Sequence, residues 1–158
     1  MSNSNVVIER TYSAQLDELW SLWTTERGFE SWWGPQGFES KVHSMEPRAG
    51  GILHYDLSAS TPEQIAEMRR MGRPTSHEAW TRFTELKPLE RVSLTTLIDF
   101  LPGVRPYEHT ITADFSRASD GTHMTVTLEP MHTDEFTELT ALGFSSQLSK
   151  LDERFAGT

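Results

Sequence analysis

Residues 107–155 read YEHTITADFSRASDGTHMTVTLEPMHTDEFTELTALGFSSQLSKLDERF, and two hydrophobic periods meet in them. Up to Leu128 the period is two: Ile111, Ala113 and Phe115 share one face, as do Met124, Val126 and Leu128, the pattern of strands with one buried side. Ala118-Ser119-Asp120-Gly121 between them reads as a hairpin turn. After Pro130 the period lengthens. Thr133 or Asp134 caps a helix running to about Phe155. Phe144, Leu148, Leu151 and Phe155 form one stripe, which Phe136, Leu139 and Leu142 are expected to extend around the helix. Gly143 costs about 1 kcal/mol relative to Ala in a helix interior, so it marks a kink or a close approach to the sheet. A sheet with one apolar face, followed by the only helix long enough to cover it, predicts an α+β fold in which antiparallel strands curve around a C-terminal helix.

The upstream sequence supplies the rest of the sheet. Ser76–Leu86 and Arg91–Phe100 read as two long strands joined at Lys87-Pro88-Leu89-Glu90, and residues 102–106 as a loop. Phe38–Met45 and Ile52–Leu57 flank a turn at Pro47–Gly51, with Leu53, Tyr55 and Leu57 on one face and His54 and Asp56 on the other. Residues 61–72 interrupt the strands with a helical pattern capped by Thr61, with Pro62 first and Gly72 at its end. This insertion reads equally as a mobile lid or as a surface helix on the sheet edge. At the N-terminus, Val6–Tyr12 is a strand. Ser13 is the expected cap of a helix through Leu16, Leu19, Trp20, Leu22 and Trp23, with Gly28 as its stop and Phe29–Trp33 as a second short helix.

The chain has 158 residues and a net charge of -9, with no cysteine and five tryptophans. That size suits one domain over residues 1–158. The charge opposes nucleic-acid binding and attachment to an anionic membrane surface. The lack of cysteine removes disulfides, thiolate metal sites and cysteine nucleophiles. No stretch approaches the roughly 20 apolar residues of a membrane helix, and no signal-like segment opens the chain. A cytoplasmic location is the expectation.

Several segments carry a family resemblance. They are Val7–Ala14 through Leu19-Trp20; Trp32-Trp33-Gly34-Pro35; Gly50-Gly51 before a strand with Tyr55; Phe83-Thr84-Glu85-Leu86-Lys87-Pro88-Leu89-Glu90-Arg91-Val92; Gly121-Thr122; and Leu142-Gly143-Phe144 with Leu148 and Leu151. In this order and spacing, over residues 6–155, the chain resembles the activator-of-heat-shock-protein-90-ATPase-like family, which more often has Trp where Phe144 stands. The resemblance implies the START-like helix-grip fold and an apolar cavity between sheet and C-terminal helix. One fold hosts many activities, so it implies no single one. The family's co-chaperone members carry an additional N-terminal domain that is not read in this sequence.

Short chemical motifs are incomplete. His77-Glu78-Ala79-Trp80-Thr81 opens like a zinc-protease motif but has Thr81 where the second histidine belongs. Gly143-Phe144-Ser145-Ser146-Gln147 lacks the last glycine of a nucleophile elbow and lies within a helix. No metal site, cofactor or catalytic group is assigned. Strand parity turns Asp99 and Glu108 outward and His109 inward with Ile111, and His77 and Glu78 remain further polar candidates. Expected wall residues are Trp33, Tyr55, Trp80, Phe83, Ile98, Ile111, Phe144 and Leu148, with Thr96 and His109 as orienting polar groups.

The leading expectation is binding of a small hydrophobic or amphipathic molecule. The alternatives are a cavity enzyme, such as a cyclase, hydrolase or self-sacrificing detoxifier, and a stress-related or chaperone-associated interaction module. A homodimer is a further expectation that no single sequence feature selects.

Overall fold

The computed structural model describes residues 4–99 and 101–156; Phe100, where the sequence reading ends a strand, lies outside them. Among the described residues the order is β1 (Val6–Tyr12), α1 (Leu16–Thr24), α2 (Glu26–Glu30), β2 (Phe38–Met45), β3 (Ile52–Ala59), α3 (Pro62–Arg70), β4 (Ser76–Lys87), β5 (Arg91–Ile98), β6 (Tyr107–Ala118), β7 (Gly121–Leu128) and α4 (Asp134–Arg154). The strands make one antiparallel sheet in the order β1-β7-β6-β5-β4-β3-β2. Strands β2 to β7 form a meander, and β1 closes onto β7 with Val6 opposite Leu128 and Tyr12 opposite Thr122.

Two bulges bend this sheet. In β2, Val42 pairs with Tyr55 and Ser44 with His54, leaving His43 extra. In β4, Phe83 pairs with Leu94 and Glu85 with Ser93, leaving Thr84 extra. A bulge lengthens one strand against its partner and so increases local twist and bend. Each also resets parity, so that Val42 and Met45, or Phe83 and Leu86, reach the core at a spacing of three. The outer face carries a hydroxyl ladder: Thr84 to Thr95, Thr95 to Thr110 and Ser93 to Thr112, at 2.8–2.9 Å.

The N-terminal helices differ from the sequence reading in their boundaries. Ser13 caps nothing. Gln15 precedes α1 without a side-chain cap bond, because the chain before it is held to β7 by Thr122 Oγ1 donating to the Ala14 carbonyl at 2.8 Å. Gly28 lies inside α2 rather than ending α1; Thr25 ends α1, and its Oγ1 accepts from Gly28 N–H. A Cβ on Gly28 would stand 2.3 Å from the Ser21 carbonyl oxygen, so glycine is what lets α2 fold back against α1. α2 also stops at Glu30, which leaves Trp32 and Trp33 on the following turn.

The core lies between sheet and helices. Leu19, Trp23, Phe29, Trp32, Leu53, Phe83, Val92, Met124, Val126, Leu128, Leu148 and Leu151 are essentially excluded from solvent. Each such side chain contributes about 1.5–3 kcal/mol by burial. Trp23, Trp32, Trp33 and Phe144 pack with ring centroids 5.2–6.4 Å apart.

Helix α4 is fastened along its C-terminal half. Lys150 Nζ donates to the Phe38 carbonyl, Arg154 to Ser31 Oγ, and Gln36 to Ser149 Oγ and Glu153 Oε1. On the other side, Tyr12 O–H donates to Asp152 Oδ1 at 2.7 Å, and Arg10 Nε lies 3.3 Å from the same oxygen. The N-terminal half departs from expectation: Phe136, Leu139 and Leu142 do not extend the buried stripe, and Leu142 is 68% exposed. At about 100° per residue, Leu142 stands roughly 200° around the helix from Phe144, nearly opposite the sheet.

Candidate functional site

Where the middle of α4 stands above the sheet, a pocket of about 220 Å³ remains. Phe29 from α2, with Trp33 and Pro35 from the segment after it, forms one side. Leu53 and Tyr55 of β3, Thr81 of β4, Leu94 and Thr96 of β5 and Ile111 of β6 form the floor, and Thr140, Gly143, Phe144 and Gln147 of α4 form the roof. The floor residues point upward because alternate positions on neighbouring strands share a face. Gly143 would present a Cβ to open space, with nothing within 4 Å. Its missing side chain therefore belongs to the pocket and not to a close helix–sheet contact.

The polar groups in this wall are few and uncharged. Trp33 Nε1 donates to Tyr55 Oη at 3.0 Å, and the phenol donates to no acceptor among the described residues. A phenol is protonated at neutral pH, and burial pushes the Tyr55 hydroxyl up to about 12, outweighing the Trp33 donor that favours the phenolate. The Thr81 and Thr96 hydroxyls bond to each other at 2.9 Å. Gln147 is 5% exposed, and its Oε1 accepts from Gly34 N–H at 2.9 Å.

The residues expected on the wall separate into three groups. Trp33, Tyr55, Thr96, Ile111 and Phe144 line the pocket. Phe83, Leu148, Ile98 and His109 are buried outside its lining. Trp80 is on the opposite face, 56% exposed, stacked on His54 with ring centroids 3.7 Å apart. The bulge in β4 falls at Thr84, beyond Phe83, so Trp80 and Phe83 keep opposite parity and cannot both face inward. His109 does turn inward, but its Nε2 meets the Glu129 carbonyl at 2.7 Å. It fastens β6 to the connection before α4 and is not among the residues that line the pocket. Asp99, Glu108, His77 and Glu78 are exposed.

The family described as activator of Hsp90 ATPase homolog 1-like protein matches residues 13–156 of this chain. The chain belongs to that family. Among solved structures, a protein of Chromobacterium violaceum is 21% identical, with 99% of this chain and all of that one covered and a TM-score of 0.77. The AHSA1 protein of Silicibacter pomeroyi is 18% identical over 97% of this chain and 98% of that one, with a TM-score of 0.74. A protein of Staphylococcus epidermidis is 15% identical over 98% and 91%, with a TM-score of 0.72. At these identities the likeness establishes the helix-grip fold. No curated protein matches the chain.

For this family member, sequence reasoning did not name Phe29, Pro35, Leu53, Thr81, Leu94, Thr140, Gly143 or Gln147 as wall residues. Parity with Tyr55 and with Thr96 was signal enough for Leu53 and Leu94. Gln147 offered one too: it lies three residues past Phe144 and one before Leu148, so a polar amide sits on the sheet-facing stripe. Among the described residues, no helix is long and apolar enough to cross a membrane, and no cluster of three or more His, Cys, Asp or Glu side chains is arranged to hold a metal ion.

Proposed function

We propose that this protein binds a small hydrophobic or amphipathic molecule in the pocket between the sheet and the middle of α4. The supporting observation is the pocket itself, about 220 Å³ with a wall built mainly of aromatic and aliphatic side chains. Apolar cavities of ~150 Å³ hold benzene, whereas drug-sized ligands occupy ~300–1,000 Å³. The pocket therefore favours a single-ring or short-chain compound over a sterol or a fused polyketide. Acid–base catalysis calls for a carboxylate or imidazole within reach of the reacting proton. The wall supplies neither, and this favours binding over the cavity-enzyme reading.

Ethylbenzene is a suitable first probe. A compound that binds only the native state raises apparent stability, by about 2.7 kcal/mol at a hundredfold excess over Kd. The native protein is expected to melt at a higher temperature with ethylbenzene, and Gly143→Leu, which puts a side chain into the open space, is expected to lose the shift while staying folded. No shift from ethylbenzene, or an equal shift in Gly143→Leu, argues against this reading.

A second reading has its own observation. Leu142 is exposed and lines a mainly apolar groove with Val6, Ile8, Glu138, Ala141 and Ser145. β1 is an edge strand, and an edge beside an apolar groove suits a second copy of the chain in a two-fold arrangement. Light scattering is expected to show a dimer that Leu142→Glu dissociates. A native monomer at high concentration excludes it.

A further inference from the structure

We infer that Gln147 is the polar anchor of the pocket and that its ligand is an uncharged ring compound bearing a hydrogen-bond acceptor, such as a ketone or ester carbonyl. The inference rests on the ligand-binding reading above and gives that ligand a chemistry.

The orientation of the amide is decided by its neighbour. Gly34 N–H is a donor, so the atom 2.9 Å from it must be the oxygen. The other arm, Nε2, carries two hydrogens, is buried, and has no partner among the described residues. Leaving a buried amide donor unpaired is costly, and most buried polar atoms are satisfied. Gln147 is one of the residues that line the pocket, and a ligand acceptor that reaches its buried Nε2 would give this donor a partner.

The rest of the wall agrees in sign. Tyr55 already accepts from Trp33, which leaves its O–H to donate; a phenol is protonated at neutral pH, and burial, which raises it to about 12, keeps it further from ionising. Two donors thus belong to one wall that has no lysine, arginine, histidine or carboxylate. Such a wall prefers an acceptor-bearing ligand. It does not favour an anion, because a buried charge without a counter-charge is strongly disfavoured.

Three probes of matched size separate the possibilities: acetophenone, ethylbenzene and benzoate, titrated into the full chain at neutral pH with calorimetric detection. Acetophenone is expected to bind roughly three- to tenfold more tightly than ethylbenzene, the range of one net neutral hydrogen bond, and benzoate more weakly than acetophenone. Gln147→Met is expected to abolish the preference, so that acetophenone and ethylbenzene bind with about equal affinity. Gln147→Leu removes the same amide donor with a different side-chain shape, so it tests the same loss should the methionine variant fail to fold.

Equal binding of ketone and hydrocarbon by the native protein overturns the role of Gln147 and leaves the pocket reading standing. So does undiminished ketone preference in either variant. Tighter binding of benzoate overturns the uncharged class. Failure of all three probes sinks the ligand-binding reading itself.

Discussion

At the scale of single residues, His109 shows how parity and function separate. Its inward direction follows from sharing a face with Ile111, and the structure then gives the imidazole a bond to the Glu129 carbonyl. Burial pulls His109 below its ordinary value of 6.5, against the Glu129 carbonyl and carboxylate, which favour the charged form. A lowered value in the folded state means that the unfolded chain takes up the proton first as pH falls through 6.5. The contribution is complete above that pH and is lost on acidification until the folded imidazole also titrates. His109→Gln is therefore expected to flatten the fall of unfolding free energy between about pH 7 and 5, measured by urea titration across the range. An unchanged slope contradicts it. Trp80 makes the opposite point: an aromatic residue on a strand is equally legible as wall or as outer surface until the neighbouring bulge is located.

At the scale of elements, α4 has two unlike halves. The C-terminal half is pinned by Gly34, Gln36 and Phe38 on one side and by Tyr12 on the other, and Leu151 beneath it is fully buried. The N-terminal half carries the exposed Leu139 and Leu142. Leu151→Ala is expected to cost about 2–5 kcal/mol, transfer and cavity combined, while Leu142→Ala stays within about 0.5 kcal/mol. Chemical denaturation of the two variants checks this, and comparable losses would mean that both halves are packed. The helix and its buried stripe were readable because a period of 3.6 is written in the residues themselves. The point at which the stripe leaves the sheet was not, since it depends on where the curved strands lie beneath.

At the scale of the whole molecule, stability is expected to be unevenly distributed. α3 has no buried residue, contributes nothing to the pocket lining, and is capped by Thr61 Oγ1, which accepts from Gln64 N–H. β5 and β6 lie in the middle of the sheet with Val92, Leu94 and Ala113 buried. Amides of α3 are expected to exchange with solvent through local opening, far faster than those of β5 and β6, whose exchange approaches the global limit. Equal protection would mean that α3 is part of the cooperative core.

By itself the sequence determined the elements, the α+β class, the inward face of most strands and the helix that covers them. Each of these is a local regularity, a period, cap or turn residue that a short window contains. The tertiary structure alone decided where His43 and Thr84 break the strand register, which side Trp80 takes, and that Gly143 and Gln147 share a hollow with Tyr55. Those depend on distances between residues far apart in the chain, set by how much the sheet bends before α4 meets it.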